Sequence, residues 1–304
     1  MAQRYQRQIQ ALGSAVWLTL VTEDNEASAA VLFDHLIGHI RRFEYRFSRF
    51  REDSELTTLN REAGGRAPIT PALRKLLVTA KSYAERTHGL YNPFILPALQ
   101  NAGYRSSWPQ PNDATNIDFT DRHIVPIEDL HIGKDWARIP AGAALDFGGI
   151  GKGYVLDELA MWLHDKHLPG FWLSLGGDII CNGHDVDGNA WSIGVQAAHD
   201  PGRIVQTIIC PAGTTLAVAT SGTVKRRGTS AGVAWHHLID PRTGKPADTT
   251  IATATVTAET ATAADVYAKA VVIEGEHLAQ HYKKIGSIFK CILQTTEDMP
   301  IIDI

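Results

Sequence analysis

The sequence predicts an α+β fold of mixed, largely antiparallel sheets with packed helices. Two observations predict it. The second half offers a run of short apolar strands separated by turns too brief for crossover helices. Strongly helical periodicity is confined to a few segments, with no regular strand–helix alternation.

Ala15 to Val21 reads as a first strand, followed by a helix over Ala27 to Phe47 with Val31, Leu32, His35, Leu36, Ile40 and Phe43 on its apolar stripe. Ser54 ahead of ELTTLN signals a short capped helix, and Thr70-Pro71 opens a helix running to about His88 with Gly89 as its C-cap. Arg105 to Arg122, rich in Pro, Asn, Ser and Asp, reads as a surface excursion, with short strands resuming near Ile124 and Ile132. Strands are then expected at Phe171 to Leu175, Trp191 to Val195, Ile204 to Ile209, Leu216 to Thr220, Trp235 to Ile239 and Ile251 to Val256. Helices are expected at Gly151 to His167 and Ala261 to Ile273. No internal repeat or low-complexity tract is seen, and 304 residues suffice for one large domain or two small ones.

The net charge of −4 and the even spread of the 29 Lys and Arg exclude a basic tract of the kind that nucleic acid requires. Apolar stretches such as Ala15 to Val21 fall far short of the roughly 18–20 residues needed to span a bilayer. Neither a secretion signal nor a lipid-acceptor cysteine precedes Cys181, so a cytoplasmic location is expected for the chain as written, and a periplasmic or membrane-associated one had a leader been removed. The three cysteines sit in apolar contexts and read as reduced, inert core thiols.

Several constellations carry candidate chemistry. Leu145-Asp146-Phe147-Gly148-Gly149-Ile150-Gly151-Lys152-Gly153 reads as a strand end passing through glycines into a helix. Glycines let backbone approach a phosphate, and helix amides with one lysine add positive potential. A tight structural turn explains the same residues, since neither the P-loop nor the GxGxxG spacing is met. His236-His237 just ahead of Asp240-Pro241-Arg242-Thr243-Gly244 offers an imidazole and a carboxylate for base chemistry, or simply an Asp-Pro turn bonding its own backbone. Ser221 before Gly222 is a weaker nucleophile candidate. The pairs His35/His39 and His277/His281 have metal-compatible i, i+4 spacing but lack the Glu of HExxH, and His35 reads as a core histidine. Leu175-Gly176-Gly177-Asp178 reads as a strand and glycine turn. Asp265 lies among small and apolar residues with Lys269 one turn later; a buried carboxylate there needs a cation.

Taken in order, these motifs resemble the FAD:protein FMN transferases, the ApbE-like flavin transferase family. The resemblance rests on LGS at 12–14, FSRFREDSELTTLN at 47–60, GLYNP at 89–93, LDFGGIGKGYVLD at 145–157, LSLGGDI at 173–179, the glycine pattern from Asn182 to Gly194, ATSG at 219–222, HLIDPRTGKP at 237–246 and AAD at 263–265. It implies that residues 1–304 form a single domain of two-subdomain architecture with a flavin cleft. It also implies FAD as substrate, Mg²⁺ on its pyrophosphate, and transfer of FMN to a threonine hydroxyl of a partner flavoprotein with release of AMP. A flavin-binding protein without chemistry, and an FAD pyrophosphatase giving FMN and AMP, are the alternatives. By resemblance, Leu12, Phe50, Leu90, Tyr91, Asn92, Asp146, Lys152 and Leu238 fall at FAD-binding positions, His237 at the catalytic base, and the Gly149 carbonyl with Asp265 at the metal. Leu12 stands where the family usually has Met, Phe50 where it often has Tyr, and Asn92 where it has Asp. Lys269 stands where the family has a metal-binding Thr.

Overall fold

The computed structural model describes residues 1–106, 124–230, 233–296 and 301–304. The chain runs through β1 (Gln3–Ala11), β2 (Ser14–Thr22), α1 (Glu26–Phe47), α2 (Glu55–Arg61), β3 (Arg66–Pro68), α3 (Pro71–Arg86) and α4 (Leu96–Asn101). It continues through β4 (His131–Ile132), β5 (Trp136–Arg138), α5 (Gly151–His164), β6 (Gly170–Leu175), β7 (Asp178–Gly183), β8 (Trp191–Gln196), β9 (Ile204–Cys210) and β10 (Thr214–Gly222). The last part comprises β11 (Arg227–Ser230), β12 (Val233–His236), β13 (Ile239–Asp240), β14 (Lys245–Pro246), β15 (Ile251–Ala258), α6 (Ala261–Glu274), α7 (Glu276–Lys284), β16 (Lys290–Thr295) and β17 (Ile302–Asp303).

The α+β class holds. The main sheet has the order β1-β2-β6-β7-β10-β15-β16-β17, antiparallel at every pairing. Its period-2 alternation sorts side chains between two cores. On β7, Ile180 joins the larger core beneath α1, α5 and α6, while Ile179 and Cys181 point to a smaller one shared with Ile193, Val195, Ile208 and Cys210 of the β8–β9 hairpin. Helix α6 is buried at every position except Lys269 and Glu274, which explains its lack of amphipathic contrast. The Asp157 carboxylate starts it, accepting from Ala261 N at 2.6 Å and Thr262 N at 2.9 Å.

Several expectations need correction. On α1 the buried face is Ala29, Phe33, Leu36, Ile40, Phe43 and Phe47; Val31 and His35 are exposed, and His35 stacks on Trp162 with ring centroids 3.8 Å apart. The buried face is rotated from the stripe read in the sequence, which puts the imidazole at the helix surface beside Trp162 of α5. Helix α3 ends at Arg86, with Gly89 beyond it at φ 82°, and α5 ends at His164. No strand forms at Ile124; residues 127–129 make a 3₁₀ turn instead. The residues before the glycine run, including Leu145, belong to no strand; Leu145 is instead held by the Asn60 side chain, which donates to its carbonyl at 3.0 Å and accepts from its N–H at 2.8 Å. Trp235 to Ile239 is divided between β12 and β13 because His237 and Leu238 turn toward other partners. Ser221 and Gly222 belong to β10, opposite Ala254 and Thr253, and are not a turn. The expected excursion lies largely at 107–123, outside the described residues. The cysteines are buried and free, on β7, β9 and β16.

Gly153 shows why the glycine run is needed. A Cβ there would lie 2.4 Å from the Ala261 carbonyl oxygen, so only glycine lets α5 cross the start of α6. Gly153→Ala is expected to destabilise the fold by about 3 kcal/mol, read as a lowered urea midpoint; an unchanged midpoint would mean that this crossing tolerates a methyl group.

Candidate active site

The β1–β2 turn, the segment after α1, the loop after α3, the glycine run, β10 and the β12–β13 junction converge on one cavity of about 1530 Å³. That exceeds the roughly 300–1,000 Å³ of ordinary small-ligand pockets. Leu12, Phe50, Leu90, Tyr91, Asn92, Asp146, Gly149, Lys152, His237 and Leu238 all line it. Asp265, 1% exposed, lies just behind its wall.

Leu12 and Gly13 both have positive φ, 54° and 63°, as a two-residue I′ hairpin turn requires. The Glu44 carboxylate accepts from Leu12 N at 2.8 Å and helps hold this conformation, which is unfavourable for leucine. Arg49, which sequence reading passed over, organises the next wall. Its Nε lies 2.9 Å from Asp146 Oδ2 with both side chains buried, and it donates to the Tyr104 carbonyl at 2.8 Å. Its guanidinium stacks 4.2 Å from the Phe50 centroid and 4.7 Å from that of Tyr104. Asp146 also accepts from Gly148 N at 2.8 Å. Asn92 spends both ends of its side chain on the backbone, donating to Val125 O and accepting from Phe94 N, each at 3.0 Å. Tyr91 packs its ring beside Gly149, and its hydroxyl is buried with no hydrogen-bond partner among the described residues.

Charge is concentrated at the floor. Lys152 is ion-paired to the buried Asp178 and stands 3.9 Å from Asp265 Oδ1. Lys269 is ion-paired to the same Oδ1 and donates to the Asp265 carbonyl at 3.1 Å. The other carboxylate oxygen of Asp265 accepts from Gly153 N at 3.3 Å. Burial alone would push Asp265 up, but the Lys152 and Lys269 ammoniums outweigh it and hold the carboxyl below its usual range. Burial pushes Lys152 down to about 8, helped by Lys269 and Arg226 and opposed by Asp265. Across the whole lining, eight Lys and Arg side chains face only Glu44 and Asp146, giving an anion-seeking cavity.

His237 sits against this charge. Its backbone N–H donates to the Arg226 carbonyl at 3.2 Å, and its Nδ1 is buried without a hydrogen-bond partner among the described residues. Burial, then the cations Arg226 and Lys269, lower it to about 3, so it is a neutral imidazole near pH 7. Asp240 does not orient it. That carboxylate accepts from Arg242 N at 2.9 Å and pairs with the Arg242 guanidinium, so the turn reading of the Asp-Pro segment is the correct one.

Asp178, Arg49 and Arg226 are the site residues that sequence reading did not single out. Asp178 carried a signal, a lone acid entering the apolar run Ile179-Ile180-Cys181. Neither histidine pair belongs here. His39 bonds Glu158 at 3.0 Å, His277 is exposed, and no group of three His, Cys, Asp or Glu fit to hold a metal occurs among the described residues. Nor, among these residues, is any helix long and apolar enough to cross a membrane.

Fold and cavity define an α+β protein with a large cavity between aromatic walls and a lysine-lined floor. The chain belongs to the ApbE family, whose model matches residues 12–289. Relatives include a FAD:protein FMN transferase of Treponema pallidum, 29% identical over 89% of this chain and 79% of that protein. One of Klebsiella pneumoniae is 28% identical over 81% and 74%. The fold matches an ApbE protein of Thermotoga maritima with TM-score 0.85 at 24% identity, covering 99% of this chain and 96% of that one. It also matches the flavin transferase ApbE of Vibrio cholerae with TM-score 0.82 at 22% identity, covering 100% and 97%.

The low value of His237 has a consequence for stability. Its folded pKa, about 3, lies below the ordinary 6.5, so the unfolded chain binds the extra proton first. Its contribution is complete above about pH 6.5 and is lost as pH falls toward 3. His237→Gln is expected to flatten the decline in unfolding free energy between about pH 6.5 and 4.5, measured by urea titration; an unaltered slope would mean that His237 is freely hydrated.

Proposed function

We propose that this chain is a FAD:protein FMN transferase, its residues 1–304 acting as one unit with a flavin cleft. The observation that carries the reading is a neutral histidine beside a two-lysine floor, in one cavity large enough for a dinucleotide. The relatives' names support it independently.

The reaction follows from the residues. Leu12, Phe50, Leu90 and Tyr91 offer apolar and aromatic surface to the flavin ring, with Asn92 and Leu238 beside them and Asp146 held by Arg49. Lys152 faces the pyrophosphate. His237 takes the proton of an acceptor threonine hydroxyl. The threonine oxygen forms a bond to the FMN-side phosphorus, the bridging P–O bond breaks, and its electron pair leaves with AMP. A base this weak acts through position more than basicity, since the adjoining cations stabilise negative charge as it develops.

The magnesium expected from the resemblance does not fit the residues present. The Gly149 carbonyl and Asp265 are the only donors of that set, and both Asp265 oxygens are already engaged, one by an ammonium. A hard divalent cation needs about six oxygen ligands, and an ammonium supplies none.

Incubation with FAD and a threonine peptide from a flavoprotein, followed by mass spectrometry, tests the reading. Peptide gaining FMN and free AMP are expected, and His237→Ala is expected to lower transfer by about 10²–10⁴-fold while FAD affinity stays within a few fold. FMN and AMP without adduct would make it a pyrophosphatase, and bound but intact FAD a flavin-binding protein.

A further inference from the structure

Splitting a pyrophosphate requires positive charge fixed where negative charge develops. In this cavity the position against Asp265 is filled from within the chain. Lys269 comes from α6 itself, one turn after Asp265, and its ammonium rests on the Asp265 carboxylate and carbonyl at once. Its stem runs alongside the glycine run, 3.6 Å from where a Gly149 Cβ would stand. It is 15% exposed and lines the cavity, whereas Asp265, at 1%, does not. The carboxylate thus holds the charge in place from behind and the ammonium faces the ligand. Lys152 stands 3.9 Å from the same carboxylate oxygen, braced by Asp178, which in turn accepts from Thr220 N at 3.3 Å. Two ammoniums on two buried acids form a charge-balanced cluster whose positive ends, Lys152 and Lys269, line the cavity while the acids do not.

We infer that the Lys269 ammonium, seated on Asp265, is the cation this chain presents to the FAD pyrophosphate, so that its site works without a divalent metal. The inference rests on the transferase reading above and specifies how that site neutralises its substrate. Lysine serves phosphate as a point charge, and a metal beside it would meet like-charge repulsion and an already occupied carboxylate. Asp265 is a positioning residue, acting only through the lysines it holds.

Manganese binding to the full, metal-stripped chain tests this. Mn²⁺ is titrated by electron paramagnetic resonance into the natural protein and into Lys269→Thr, with and without FAD. The natural protein is expected to bind no stoichiometric Mn²⁺, and Lys269→Thr to gain affinity by roughly tenfold or more. FMN transfer by the natural protein is expected to survive EDTA. Stoichiometric Mn²⁺ on the natural protein, no gain in the variant, or transfer abolished by EDTA would each overturn the inference. Should Lys269→Thr fail to fold, Lys269→Met serves: it is expected to weaken FAD binding roughly tenfold, and unchanged affinity would count against it. Failure of the transferase reading looks different. No FMN adduct would then form under any condition, while the manganese titration, which needs no turnover, would still report on Lys269.

Discussion

A carboxylate buried to 1% exposure on a helix with almost no exposed face is the feature around which this site is built. Asp265 cannot sit there charged without partners. Two ammoniums and one backbone amide supply them, and each partner imposes something on the chain. The Gly153 amide draws the start of α5 against the start of α6, which only glycine permits. Lys152, next to it, is thereby aimed at the floor of the cavity, and Lys269 shares that floor from α6. The charge pair and the glycine run are two aspects of one packing solution.

The rest of the cavity follows from similar pairings of buried charge. Arg49 is secured by Asp146 and by the Tyr104 carbonyl, and its flat guanidinium in turn positions Phe50 and Tyr104 as walls. Tyr104 meets His237 edge-on at 6.4 Å, which carries this wall to the imidazole. His237 remains neutral because it is enclosed and surrounded by cations, the same cations that favour an anionic ligand. A base kept unprotonated by the charges that hold its substrate is a consistent device for deprotonating a hydroxyl beside a phosphate.

Legibility in the sequence followed the strength of local signals. Helices α1 and α3 and most central strands were readable because caps and periodicity largely agree with burial there, while α5 and α6 showed as long apolar, alanine- and leucine-bearing runs after a glycine or Thr cap. Strand β1 was not, since in QRYQRQIQA the alternation of Tyr5, Ile9 and Ala11 is broken by Arg7 and diluted by polar residues; it is a largely exposed edge strand that depends on its nine-residue pairing with β2. Helix α7 and strand β16 were passed over as well. His35 was misassigned because a helical stripe one residue wide of the true face still looks periodic. In the site, Asp265 and Lys269 were legible, because an acid among alanines asks for a cation one turn away. Arg49 was not, because its partners lie far along the chain and only the fold brings them together; Asp178 showed as a lone acid entering an apolar run, but its pairing with Lys152 did not.

The most direct measurement is a crystal structure of the chain with FAD, grown from metal-free protein. The account predicts a pyrophosphate oxygen within about 3 Å of the Lys152 and Lys269 ammoniums, with Lys269 still on Asp265. A pyrophosphate bound elsewhere in the cavity, or Lys269 swung away from Asp265 with neither lysine touching phosphate, would contradict it.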